Sequence, residues 1–197
     1  MKKRILSTVL VAWFSAVACG TSGSAAQAQG TNVNPDAKLM ADFRAKVDAY
    51  NKLRNDLAAG GPKLKETVDP TAIGEAEKVL AAKIRAARST AKRGDIFTPA
   101  TEALFRRLLR PQVTGTADAA ENKTTIKEDA PKPQEVPFKV NGEYPKEAPL
   151  STVPPDVLKA LPALPENLQY RFVGRHLILY CTRGNLIVDY MLNAVPS

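Results

Sequence analysis

Histidine, tryptophan and cysteine are nearly missing from this chain: one, one and two among 197 residues. A single histidine, His176, excludes a multi-histidine metal site. The spacings H-E-x-x-H, C-x-x-C, G-x-S-x-G and the P-loop do not occur. Serine is also scarce beyond residue 28, where Ser89, Ser151 and Ser197 are the only ones, none in a nucleophile setting. No residue set selects a metal or a cofactor.

What is present begins with Met1-Lys2-Lys3-Arg4, a positive leader, followed by an uncharged, mostly apolar run of 14 residues from Ile5 to Ala18. That run is short for a membrane span and suits the apolar region of an export signal. Two processing routes fit. Ala26-Gln27-Ala28 is a small-x-small site for cleavage after Ala28, which makes residues 1–28 a signal peptide. Ala16-Val17-Ala18-Cys19-Gly20 resembles a bacterial lipobox, with Cys19 as the lipidated residue. Either route leaves Cys181 as the one unmodified thiol, so no intramolecular disulfide can form and packing must hold the fold.

The formal net charge is +8, and three of those charges belong to residues 1–28. Residues 29–110 carry 16 cations against 10 acids, while residues 111–197 carry nine against 10. The basic surplus of the exported part therefore lies in its N-terminal half. Export argues against nucleic acid and favours anionic envelope lipid, polysaccharide or an acidic protein. Membrane association is expected only with lipidation at Cys19.

Residues 29–35 read as a flexible leader. Three helices follow in a unit spanning 36–110. The first, about Asp36 to Leu57, keeps Leu39, Phe43, Val47, Tyr50 and Leu57 at 3–4 spacing. The second starts near Asp69-Pro70 and is expected to reach Lys92 or Arg93. The third opens with Thr98 as N-cap and Pro99 in its first turn, and Arg110-Pro111 is its expected stop. A small bundle or helical hairpin follows from this spacing. Residues 112–150 turn polar and proline-rich, and are expected to form a largely irregular linker, disordered over 112–135. Within them Asn141-Gly142 is a hairpin signal, weakened by Pro137 and Pro145.

The last unit, 153–197, combines a short helix from Pro155 with a β-meander. Val173-Gly174-Arg175-His176 suits a two-residue type II′ turn, which sets Val173 opposite His176 and Leu168 opposite Cys181. Leu168, Tyr170, Phe172, Leu177, Leu179 and Cys181 then share an apolar face. A second turn at 182–185 brings Leu186, Val188 and Tyr190 to that face. Val173, Ile178 and Tyr180 fall on the mixed, exposed face with Asp189. The expected class is α+β, with a three-stranded antiparallel sheet.

This region also carries a resemblance. Leu161-Pro162-Ala163-Leu164-Pro165, Tyr170-Arg171-Phe172-Val173-Gly174-Arg175, Leu177-Ile178-Leu179 and Asn185-Leu186-Ile187-Val188-Asp189 resemble the C-terminal end of a group of uncharacterised exported bacterial proteins. The likeness covers roughly the last 40 residues and implies no activity.

The candidate site is electrostatic. Between Lys78 and Arg93 there are six cations and no acid. On a continuous helix Lys78, Arg85, Arg88 and Lys92 fall within about 80° of one another. His176 and Cys181 are about 16 Å apart along one strand and on opposite faces, so they cannot form a dyad. Glu75 and Glu77 do not face each other on a helix. These features point to a non-enzymatic, envelope-associated binding protein using the basic face. A second reading is an assembly partner of another exported protein, engaged through the meander. A third is a hydrolase with scattered carboxylates.

Overall fold

The computed structural model describes residues 34–60 and 70–197. The expected export signal, with Cys19 and Ala28, lies outside the described residues, as does nearly all of the expected leader. Helix α1 (Pro35–Ala59) starts where the Asn34 side chain accepts the Asp36 amide at 3.0 Å and Pro35 occupies the first turn. It buries Phe43, Val47 and Tyr50, one apolar side chain per turn. Helix α2 (Pro70–Ala87) buries Leu80, Ala81 and Ile84. Helix α3 (Pro99–Val113) is capped by Thr98 and buries Leu104, Phe105, Leu109 and Val113. Among the described residues no helix is long and apolar enough to cross a membrane.

Two helix ends differ from expectation. α2 stops at Ala87, short of Lys92, and Ser89-Thr90 lie in the turn that follows. Serine and threonine compete for backbone hydrogen bonds and favour such ends. α3 runs through Pro111 to Val113. Proline costs the bond to Arg107 at that point, but the extra residues seat Val113 at 1% exposure in the core.

The expected linker is instead ordered. Helix α4 (Ala117–Asp129) begins where Thr116 Oγ1 accepts the Ala119 amide at 3.1 Å, and it packs on α3 through Ile126 and Ala119. Most of its surface is polar, so composition alone hid it. Beyond α4 the irregular segment 131–150 lies against the sheet and contributes a two-residue strand, β1 (Gly142–Glu143).

The sheet is antiparallel, in the order β1-β4-β3-β2, with β2 Leu168–Val173, β3 His176–Cys181 and β4 Leu186–Met191. It has four strands where three were expected. Helix α5 (Pro155–Lys159) lies between β1 and β2 in the chain. All six β2–β3 pairs fall in the register set by the turn, from Val173↔His176 to Leu168↔Cys181. Gly174 has φ 54 at the first central position, as a type II′ turn requires.

One face of the sheet carries Tyr170, Phe172, Leu177, Leu179 and Cys181 into a core shared with α1, α2, α3 and α4. Phe43, Phe97 and Phe105 meet there, with ring centroids 4.9–5.7 Å apart. The helices and the sheet thus build one core rather than two units. The opposite face is also closed. Val173, Ile178, Tyr180 and Ile187 lie under Val136 and Tyr144, so the expected exposed mixed face is buried.

A bulge in β4 explains the remaining mismatch. Tyr180 pairs with Ile187 and Leu179 with Asp189, so Val188 is the extra residue. A bulge reverses the alternation beyond it. Tyr190 therefore faces the 131–150 segment, not the helical core, and Asp189 turns to the helical side.

Candidate functional site

The C-terminal end of α2 and the 137–143 segment form one cleft. Asn141 is its keystone. It sits at φ 58, a region asparagine tolerates better than most residues. Its amide donates to Ile187 O at 2.8 Å, joining the segment to β4. Arg85 Nε donates to Asn141 O at 3.0 Å, and Arg88 Nη1 to Asn141 Oδ1 at 2.7 Å. Asn141 Nδ2 returns a bond to Arg88 O at 3.1 Å. The neighbouring Gly142 is required by space: a Cβ there would lie 2.8 Å from Lys139 O.

Around this junction Arg85, Arg88, Ser89, Lys139, Asn141 and Glu143 line a concavity of about 550 Å³. Three cations face one acid, Glu143, which lies 3.8 Å from Arg85 Nη2. The Arg88 guanidinium stands 5.0 Å over the Tyr50 ring, a cation–π contact that holds it in place. Burial lowers the proton affinity of Arg88, opposed by the nearby Tyr50 and Asp189.

The structure brings together only part of the expected basic stripe. Arg85 and Arg88 share the cleft. Lys78 lies about two turns from Arg85 along α2, paired with Glu75 at 2.8 Å on the exposed surface. Arg88 and Lys92 both lie beyond Ala87, where α2 ends, so the single four-cation helical stripe is not formed. Other cations of this half are tied to the fold. Arg93 and Arg106 both reach Glu102 at 2.8 Å, and Arg106 also donates to Leu192 O. Lys83 donates to Gly60 O at the end of α1. Lys139 carries no functional signal in the sequence because its segment reads as linker; the Asn141-Gly142 turn signal is the available hint.

The other sequence candidates hold structural posts. Asp189, expected on the mixed face, is fully buried and accepts four amides, from Gly94, Ile96, Phe97 and Tyr190, at 2.8–3.1 Å. His176 Nδ1 accepts the Asn193 amide at 2.9 Å, and its ring meets Phe138 edge-on at 5.0 Å. Cys181 is buried in the helical core. Glu77 and Glu143 share a concavity of about 50 Å³, but Lys78, Arg85 and Lys146 line it too. Among the described residues no group of three or more histidine, cysteine or acidic side chains could hold a metal.

The free edge of β2 is the other notable feature. Val173↔His176 flanks the turn as a hydrogen-bonded pair, so by alternation Phe172, Tyr170 and Leu168 direct their amides outward. Phe172 N donates to Ser151 Oγ at 2.7 Å and Leu168 N to Pro165 O at 3.2 Å. Between them the backbone of Tyr170 has no partner among the described residues.

No protein-family model, no curated protein and no solved structure matches this chain.

Proposed function

We propose that the chain is an exported, non-enzymatic binding protein of the cell envelope, and that the cleft at the end of α2 takes an anionic group. The observation that carries this reading is the convergence of Arg85, Arg88 and Lys139 on one concavity that holds a single acid. A phosphate or carboxylate there would meet a guanidinium already oriented by Asn141, which reduces the ordering cost of binding. The N-terminal leader, with cleavage after Ala28 or lipidation at Cys19, supports export. The basic surplus of residues 29–110 supports an anionic partner.

The test is affinity capture from native envelope, comparing the natural chain with an Arg85→Gln, Lys139→Gln variant. Lipid, polysaccharide and protein fractions are analysed separately. Arg88 is left intact because it anchors Asn141 and packs on Tyr50. The reading fails if the folded variant captures the same anionic material in the same amount.

A second reading is that the chain is an assembly partner of another exported protein, engaged through the sheet. With Val173, Ile178 and Tyr180 buried, the mixed face no longer supports it. The uncapped backbone of Tyr170 on the β2 edge does, since an unpaired edge is a template for an added strand. The hydrolase reading finds no support in Asp189 or Glu102, whose carboxylates are already engaged by amides and arginines.

A further inference from the structure

Beside the β2 edge lies a larger, apolar concavity of about 890 Å³. Leu150, Leu158, Leu161, Leu164, Tyr170 and Arg171 are among its walls. Leu150 and Leu158 remain 48% and 49% exposed. Exposed leucines flanking a groove of this size are characteristic of an interaction surface. The groove floor includes Tyr170, which is 3% exposed and is the one outward-directed position of β2 whose backbone has no partner among the described residues.

Charge selects among occupants. Lys159 and Arg171 are the charged residues of the lining, and no acid accompanies them. Lys159 is paired with Asp156 at 3.0 Å. Among the described residues Arg171 is not paired with a carboxylate; its guanidinium reaches Ser151 O at 2.8 Å and Gln169 Oε1 at 2.6 Å. A second copy of this chain, added edge to edge, would bring one Arg171 toward another and is disfavoured. A lipid chain would fill the apolar walls but leave the N–H and C=O of Tyr170 unpaired. An extended polypeptide satisfies both the walls and the edge.

We infer that this groove binds an extended segment of a partner polypeptide, alternating apolar with acidic side chains and added as a strand beside β2. The inference rests on the second reading above. Backbone bonds to Tyr170 set the register, apolar side chains enter between Leu150 and Leu158, and a carboxylate meets Arg171.

Calorimetric titration of the purified full chain tests this. The probes are a short acetylated peptide alternating leucine with aspartate, the same peptide with lysine for aspartate, a version N-methylated at alternate amides, and oleate. The aspartate peptide is expected to bind, and the lysine and N-methylated peptides to bind about tenfold more weakly or less. L150E and L158E, both half in solvent, are expected to lose about tenfold in affinity or more while keeping the melting midpoint. R85Q, in the other cleft, should leave this binding unchanged. Hydrogen exchange at the Tyr170 amide gives a readout without any substitution: it should slow when the aspartate peptide is added.

Absence of peptide binding, equal binding of the lysine peptide, binding without protection of Tyr170, or binding of oleate alone would each overturn the inference. Capture of an exported protein that is insensitive to L150E and L158E would keep the second reading and remove this one.

Discussion

Asp189 Oδ2 accepts the Ile96 amide at 2.8 Å, across 93 residues of sequence. This bond and its neighbours fasten the turn between α2 and α3 to the middle of β4. The bulge at Val188 makes it possible, because it turns Asp189 toward the helices. A fully buried carboxylate surrounded by amide donors is both a stabilising group and a vulnerable one. Asp189→Asn keeps the shape but offers one acceptor oxygen, and its own N–H₂ confronts either the Ile96 and Phe97 amides or the Gly94 and Tyr190 amides. The expected loss is about 3 kcal/mol, read as a lower urea midpoint with unchanged slope. A change below about 0.5 kcal/mol would contradict this role.

Arg54 is expected to behave in the opposite way. It is 2% exposed on α1, and its Nη2 reaches Asn51 and, at 2.9 Å, Asn55. Nε and Nη1 are buried without partners, and among the described residues no carboxylate is paired with the desolvated charge. Arg54→Met should therefore be neutral or stabilising, by about 1–3 kcal/mol, in the same urea experiment. A marked destabilisation would show that the guanidinium has a task that its two asparagine contacts do not explain.

Gly142→Ala tests the architecture of the α2 cleft. The added methyl group would meet Lys139 O at 2.8 Å, and that oxygen is backbone already bonded to Gly142 N. The turn must shift, taking Asn141 away from Arg85 and Arg88. The expected result is a loss of about 1–3 kcal/mol together with weaker anion binding. An unaltered melting midpoint would contradict the tight-turn geometry.

His176 links stability to pH. Burial, and secondarily the Arg175 charge, lower its pKa below the ordinary 6.5, and neutral Nδ1 accepts the Asn193 amide. The unfolded chain therefore takes up the proton first as pH falls. Stability from this group is complete above about pH 6.5, declines as pH drops from there to the folded-state pKa, and is level below it. Urea midpoints measured from about pH 8 down to about pH 5 should show this component in the natural chain and lose it in His176→Gln. An identical pH profile in both proteins would refute it.

Residues 168–181 were the most legible part of the sequence, because a glycine turn and a period-two apolar pattern independently specify the same register. The first pair of the next hairpin, Cys181↔Leu186, was legible for the same reason. The bulge was not, since Ile187-Val188-Asp189 contains no glycine, and a lone aspartate in a strand reads as a solvent-facing polar position rather than as a bulge. It misplaced Asp189 and Tyr190 together. α4 escaped notice because only Ala119 and Ile126 are fully buried along it, too few for a clear period. Its start was nonetheless written in Gly115-Thr116, a helix cap ahead of an early acid. Arg85 and Arg88 were legible as charge. Their attachment to Asn141 was not, because it depends on a contact across more than 50 residues between a helix and a segment read as linker.

The central claim is that the α2 cleft binds an anionic group. Its most direct measurement is the affinity of the purified chain for phosphatidylglycerol vesicles and, separately, for an acidic polysaccharide, across a salt titration. Neutral vesicles serve as the reference. The account predicts binding to at least one anionic probe that weakens with salt, falls about tenfold or more in Arg85→Gln, Lys139→Gln, and leaves the variant's melting midpoint within a few degrees of the natural chain. Binding of equal strength by the folded variant, or no binding to either anionic probe at low salt, would contradict it.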